Sequence, residues 1–233
     1  MRLQAALLGW SCGPAQIYIQ DLRHYAGHRQ LEKARAQLEP RELARAAAFR
    51  TEALARRWLL GRWLTKAILA RELGQELTQI GWQVSASGKP VHPQRSFSIS
   101  RTGPYLAVIT GPPKLLLGID CEGTNSAHTH LPASSAALAV FHPSDRVVLR
   151  QSETGYRDFL RLWTRLEAAV KATGQGLGSA GHYPVNADRL ELAPQGAGLP
   201  GQLTLATRFL EPELPLVISW ALSSPSQPLP QHR

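Results

Sequence analysis

Three acids and one lysine, in two short stretches, are the residues best placed to do chemistry. The run Leu115-Leu116-Leu117-Gly118-Ile119 is apolar and leads into Asp120-Cys121-Glu122-Gly123. In a strand, residues two apart point to the same side, so Asp120 and Glu122 would share a face at the end of a buried strand. Two carboxylates that close repel, and a buried pair takes up a proton or holds a cation. The second stretch runs from Trp163 to Leu177 and contains Glu167 and Lys171. These are four residues apart and share one face of a helix. Taken alone they read most simply as a surface ion pair. Delivered onto the strand's acids, Glu167 would instead complete a hard-oxygen site of Asp120, Glu122 and Glu167. Such a site suits Mg²⁺, which takes few protein carboxylates and fills its other positions with water and substrate phosphate.

The elements that must position these residues are legible. Ala, Leu and Glu favour a helix from Tyr156 to Thr173, and Gly174 is placed to end it. The Gly174-x-Gly176-x-Gly178 run follows this helix, whereas a nucleotide-binding fingerprint follows a strand and opens a helix. Strands are expected over Phe97–Ser100, Tyr105–Thr110 and Leu115–Asp120, with turns at Gly103-Pro104 and Gly111-Pro112-Pro113. Earlier in the chain, residues 3–10 and 15–20 suit strands around a Cys12-Gly13-Pro14 turn. From about Glu32 to Gly74 the pattern is helical, with Pro40 opening a helix that runs to about Arg50. A buried face is expected from Phe49, Leu54, Trp58, Leu59, Trp63, Ile68 and Leu69. Ile80–Val84 reads as a short strand and Ser87-Gly88-Lys89-Pro90 as a turn. His128 and His130 form an isolated pair, too few ligands for a metal site. Ala133–Val140 reads as a helix, and Ser144 and Asp145 as the cap of the next one. Residues 182–222 alternate strands with Pro/Gly turns, and the Ser-, Pro- and Gln-rich tail beyond Ser223 is expected to be disordered.

Composition narrows the class. The chain has 233 residues, 43% hydrophobic and 18% charged, which is long enough for one domain or two small ones with a core. Cys12 and Cys121 are far apart and form neither a zinc spacing nor a disulfide framework, which suits a reducing, cytoplasmic setting. No run approaches membrane-spanning length, and no membrane association is expected. Net charge is +9, and it is unevenly spread: residues 1–117 sum to +10 and residues 118–233 to −1. A basic first half calls for an anionic partner: nucleic acid, a phosphate-rich ligand or an acidic protein. Interleaved surface aromatics and recognisable nucleic-acid motifs are lacking, which disfavours the first.

The order Gly118-Ile119-Asp120-Cys121-Glu122, Trp163-Thr164-x-x-Glu167-x-x-x-Lys171, Gly174-x-Gly176-Leu177 resembles the 4′-phosphopantetheinyl transferase superfamily. The larger, monomeric surfactin-synthetase-activating type is the nearer likeness. Gly88-Lys89-Pro90, Phe97-Ser98-Ile99-Ser100 and the Arg-rich helix before them extend the resemblance over roughly residues 40 to 178. The resemblance implies an α+β fold of two similar halves related by a pseudo-two-fold. The boundary is expected between residues 117 and 118, and the second half to end at 222. A faint internal echo agrees: Trp58 and Lys66 are spaced as are Trp163 and Lys171, with Arg62 where the second copy has Glu167.

The resemblance further implies Mg²⁺-dependent transfer of phosphopantetheine from coenzyme A to a serine of an acidic acyl or peptidyl carrier protein, releasing 3′,5′-ADP. Mn²⁺ is an alternative ion, and a monomer is expected. Asp120, Glu122 and Glu167 would hold the metal, and Glu167, Lys171 and Asp120 would be the catalytic set. Arg45, Arg57, Lys89, Pro90, Ser100, Arg101 and Lys171 would bind coenzyme A, with Lys89 at the diphosphate and Arg101 at the 3′-phosphate. The chain departs from the family at three such positions: Glu42 replaces a usual lysine, Trp58 a threonine and Arg101 a histidine. A fourth departure is Leu166, where relatives often carry a lysine before the catalytic glutamate. The alternative reading is a coenzyme A-binding homologue with weak or lost transfer.

Overall fold

The computed structural model describes residues 8–124, 138–192 and 201–223. The His128/His130 pair, most of the helix expected over Ala133–Val140, the first residues of the first strand and the tail beyond Ser223 lie outside them. The fold is α+β. Contacts divide the chain into two units: the residues up to Ser85 with Pro90–Pro113, and Ala86–Lys89 with the residues from Lys114 on. The strand carrying Asp120 begins at Leu117 and pairs within the second unit.

The first unit holds an antiparallel sheet in the order β1-β2-β6-β5, formed by β1 (Leu8–Cys12), β2 (Ala15–Asp21), β5 (Ser96–Thr102) and β6 (Tyr105–Gly111). Its helices are α1 (His28–Gln37), α2 (Pro40–Ala47) and α3 (Glu52–Leu73). Helix α3 starts where the Thr51 hydroxyl accepts the Leu54 N–H at 3.3 Å. Its Leu59, Leu60, Trp63, Leu64 and Ile68 form a core with Phe97, Leu106 and Val108 from the sheet. The expected apolar face is only partly of this kind. Leu59, Trp63, Ile68 and Leu69 are buried, Phe49 and Trp58 half-buried, and Leu54, in the first turn, is 45% exposed. Helix α2 stops at Ala47, short of Arg50, and its start is a reciprocal cap between Glu39 and Glu42. Of the strand expected over Ile80–Val84, β3 (Gln83–Val84) pairs, with β4 (Pro90–Val91). Ile80 and Trp82 are drawn into the core instead.

The second unit holds an antiparallel sheet in the order β7-β10-β9-β8, formed by β7 (Leu117–Gly123), β8 (Arg189–Glu191), β9 (Gln202–Phe209) and β10 (Leu216–Ser223). Among the described residues its longer helices are α4 (Pro143–Gln151) and α5 (Tyr156–Thr173). Helix α5 packs on β7 and β10 and ends at Gly174, whose φ of 71° is the left-handed conformation that glycine adopts without strain. The cap of α4 is not the expected Ser144 or Asp145. His142 is the cap, its Nδ1 accepting the Ser144 N–H at 3.3 Å. Asp145 is buried and turned inward, accepting from the backbone N–H groups of Val185 at 2.8 Å and Asn186 at 3.0 Å.

Candidate active site

Strand β7 alternates, so Gly118, Asp120 and Glu122 project to one face. That face receives α5. A methyl group added at Gly118 would fall 1.8 Å from the Ala168 carbonyl oxygen and 2.6 Å from the Ala172 nitrogen. Helix backbone therefore lies directly on strand backbone, which a side chain at 118 would forbid. Small residues on the helix, Ala168 and Ala172, complete the approach. A buried hydroxyl chain fixes the helix rotation: Thr164 Oγ1 lies 2.7 Å from Ser219 Oγ, and Ser219 Oγ lies 2.8 Å from Thr207 Oγ1. Ser219 is also the register partner of Asp120.

This packing brings Lys171 to Asp120. Lys171 Nζ donates to Asp120 Oδ1 at 2.5 Å and lies 3.2 Å from Glu167 Oε2. One ammonium thus joins a carboxylate from the strand to one from the helix. Burial alone would push the Lys171 pKa down, but the charges of Asp120 and Glu167 outweigh it and hold it above the ordinary lysine value. Asp120 is buried, while the side chains of Glu167 and Lys171 keep 24% and 29% exposure, so the cluster can meet a ligand from solvent. Glu122 shares the strand face two residues further on, near the strand end. Among the described residues, no three His, Cys, Asp or Glu side chains gather at metal-holding distance. The donor set nevertheless fits Mg²⁺, since two hard carboxylates already hold a cation and such a metal takes most of its other ligands from water and phosphate.

The neighbours of Glu167 do different work. Leu166 is fully buried in the second core, so this position faces away from any ligand. Arg165 is also buried. It donates to Thr207 Oγ1 at 2.8 Å, the Val185 carbonyl at 3.0 Å and Asp188 Oδ1 at 2.5 Å, clamping the 185–188 loop. Trp163 stacks on Phe159 and meets Phe141 edge-on, which makes it a packing residue. Lys89 donates from Nζ to the carbonyls of Leu117 at 3.2 Å and Ala172 at 2.6 Å. It ties its turn to the start of β7 and the end of α5, and burial lowers its pKa to about 8.

The remaining expected residues lie in the first unit. Arg45 is exposed, its guanidinium 5.7 Å from the centre of the Phe49 ring. Arg57 lines a cavity of about 330 Å³ with Arg23, Arg56, Leu22, Leu60 and Pro104. Pro90 pairs with Val84 in the small hairpin. Ser100 and Arg101 are consecutive in β5 and so project to opposite faces, Arg101 toward α3 and Ser100 away from it. Arg62 was not picked out by sequence reasoning as a ligand-binding residue. The structure lays its guanidinium 3.3 Å from the centre of the Trp82 ring and pairs it with Glu42. A sequence signal existed, in that Arg62 stands where the second copy of the helix has Glu167.

A β-strand acid and a helical Glu/Lys pair are thus joined through one ammonium on an α+β scaffold. Comparison with known proteins shows what the chain is similar to. Residues 116–210 match the 4′-phosphopantetheinyl transferase superfamily. The chain is 29% identical over 195 residues to the L-aminoadipate-semialdehyde dehydrogenase-phosphopantetheinyl transferase of Pongo abelii, covering 76% of this chain and 60% of that protein. It is 32% identical to the 4′-phosphopantetheinyl transferase HetI of Nostoc, over 64% of each chain. It is 29% identical to the 4′-phosphopantetheinyl transferase psf-1 of Bacillus pumilus, covering 69% of this chain and 68% of that one. It covers 60% of the length of the Pongo abelii and Homo sapiens relatives.

Proposed function

We propose that this protein transfers 4′-phosphopantetheine from coenzyme A to a serine hydroxyl of an apo acyl or peptidyl carrier protein, releasing 3′,5′-ADP. The observation that carries this reading is the Asp120–Lys171–Glu167 cluster, which falls inside the segment matched to the superfamily. The serine oxygen bonds to the phosphorus that bears pantetheine. The bond from that phosphorus to the bridging oxygen breaks, and 3′,5′-ADP leaves. Glu167, a partly exposed carboxylate, is assigned the role of taking the serine proton. Lys171 offers its ammonium to a phosphate oxygen as charge builds on the leaving group. Asp120 and Glu167, with Glu122 nearby on the strand, are the ligands we assign to Mg²⁺, with Mn²⁺ a substitute. When bound, the ion would neutralise diphosphate charge. Arg101 and Arg45 are assigned to phosphate groups of coenzyme A, with Arg57, Ser100 and Pro90 as further contacts. Lys89 is assigned to the diphosphate side, through the turn it anchors. We infer that the protein works as a cytoplasmic monomer, and that its basic first half complements an acidic carrier.

The test is intact-protein mass spectrometry of an apo carrier protein incubated with this chain, coenzyme A and Mg²⁺. The expected result is a gain of one phosphopantetheine, lost with EDTA and with Asp120→Ala or Glu167→Ala. Normal transfer by either variant would overturn the site assignment. The buried Leu166 favours one other reading, a homologue that binds coenzyme A without transferring from it, because this position offers no phosphate contact. Absence of transfer to fatty-acid, polyketide and peptide carriers, alongside measurable coenzyme A binding, would select that reading.

A further inference from the structure

The first unit carries a hollow of about 330 Å³ between the single 3₁₀ turn Leu22–Tyr25 and the first turns of α3. Leu22 and Leu60, 3% and 2% exposed, form its floor. The turn is tied down where the Leu22 N–H donates to the Pro104 carbonyl at 2.8 Å. Ala53, Arg56, Arg57 and Leu60 are three and four residues apart, so they share one face of α3. Ala26 and Ala53, both exposed, line the hollow at places that larger side chains would fill.

Three guanidinium groups line this space, and they differ in what they are already doing. Arg23 is engaged by Asp21, which accepts from Nε at 2.9 Å and from Nη2 at 2.6 Å. Arg56 pairs with Glu52 one turn back on α3. Arg57 is exposed, and among the described residues no carboxylate pairs with it. Three cations against two carboxylates leave one positive charge. That balance suits a monoanion. A phosphate monoester, with a charge of about −1.5 to −2 at pH 7, would be left partly uncompensated. Size limits the rest of the ligand. If each heavy atom takes about 30 Å³, the share of a water molecule in the liquid, the hollow holds about ten of them. A docked helix, about 10 Å across, needs a longer groove.

We propose that this hollow binds a small amphiphilic monocarboxylate, with its chain on Leu22 and Leu60 and its carboxylate on the fork of Arg57. The planar fork of arginine matches the two oxygens of a carboxylate. Ligand sites commonly combine an apolar lining with a few placed polar groups in this way. The site lies wholly within the first unit and does not depend on the transfer reaction. Arg57 is also assigned above to coenzyme A, so coenzyme A is the competitor that decides between the two ligands.

The experiment is a titration of the ¹⁵N-labelled full chain with octanoate, 1-octanol and acetate, followed at the amide resonances of Ala26, Ala53 and Leu60. Octanoate is expected to shift them saturably. Octanol keeps the chain without the charge and is expected to bind roughly tenfold or more weakly, the size of a charge-assisted hydrogen bond. Acetate keeps the charge without the chain and is expected to bind roughly a hundredfold or more weakly. Arg57→Gln should lose about tenfold toward octanoate with octanol unchanged. Ala53→Trp, which fills the hollow, should lose both. Both positions are exposed, so neither change disturbs the core. No octanoate shifts, octanol binding as tightly as octanoate, undiminished binding by Ala53→Trp, or displacement of octanoate by coenzyme A would each overturn the proposal. A chain that transfers phosphopantetheine yet ignores octanoate refutes this site alone. A chain that binds octanoate, unopposed by coenzyme A, supports the site whether or not it transfers.

Discussion

At the scale of single residues, two lysines on two long helices do the same physical job in different surroundings. Lys171 joins Asp120 to Glu167 with a quarter of its surface open, whereas Lys66 joins Glu39 to Glu42 in the core with none. The first can exchange partners with a ligand; the second cannot. Removing one member of a buried pair leaves an uncompensated charge, so Lys66→Met should lower stability by about 3–5 kcal/mol, read by urea unfolding. Lys89 supplies a pH signature. Its pKa falls to about 8 in the fold and returns to the ordinary lysine value, about 10.4, in the unfolded chain. Between those values the unfolded state binds more protons, so this residue's contribution to stability rises with pH and is lost as pH falls through about 8. Thermal midpoints measured from pH 7 to pH 11 should therefore show wild type gaining on Lys89→Met across that window. Parallel curves would refute it.

At the scale of elements, the site depends on how closely α5 lies on β7. Glu167 and Lys171 reach Asp120 because Gly118 puts strand backbone against helix backbone. Gly118→Ala would drive a methyl group into the Ala168 carbonyl, which must move with the helix. Overpacking of this kind costs about 1–3 kcal/mol. Because the displaced element carries two site residues, Gly118→Ala should also lose transfer activity at temperatures where circular dichroism shows it folded. Full activity in a folded Gly118→Ala protein would show that the close approach does not position the site. Arg165 illustrates the same dependence from the other side: its charge is spent on the 185–188 loop, and so it does not take the place of the lysine missing at Leu166.

At the scale of the whole molecule, the excess positive charge resides in the first 117 residues. Attraction between separated charges weakens as the Debye length shrinks from about 10 Å at 0.1 M salt to about 3 Å at 1 M. The KM for an acidic carrier should therefore rise steeply over that range in steady-state assays, with kcat changing much less. A KM independent of salt would remove the basic half from carrier recognition. No helix among the described residues is long and apolar enough to cross a membrane.

The sequence by itself determined the helix that ends at Gly174, the strand that carries Asp120 and Glu122, and the helical Glu167/Lys171 pair. Each of these rests on short-range physics: a period of two or of 3.6, a glycine at a helix end, acids after an apolar run. The tertiary structure alone decided which charges meet. That Lys171 closes on Asp120, that Glu42 serves as a counterion for Arg62 and Lys66 and that Leu166 is core all follow from contacts between residues distant in sequence. It also turned expectations aside. Asp145 left the helix cap for the 185–186 backbone, and Leu54 stayed in solvent, because a cap or an apolar residue takes the best partner the fold offers and not the nearest in the chain. A buried charge is stable only beside its partner, and which residue that partner is depends on packing that no local pattern records.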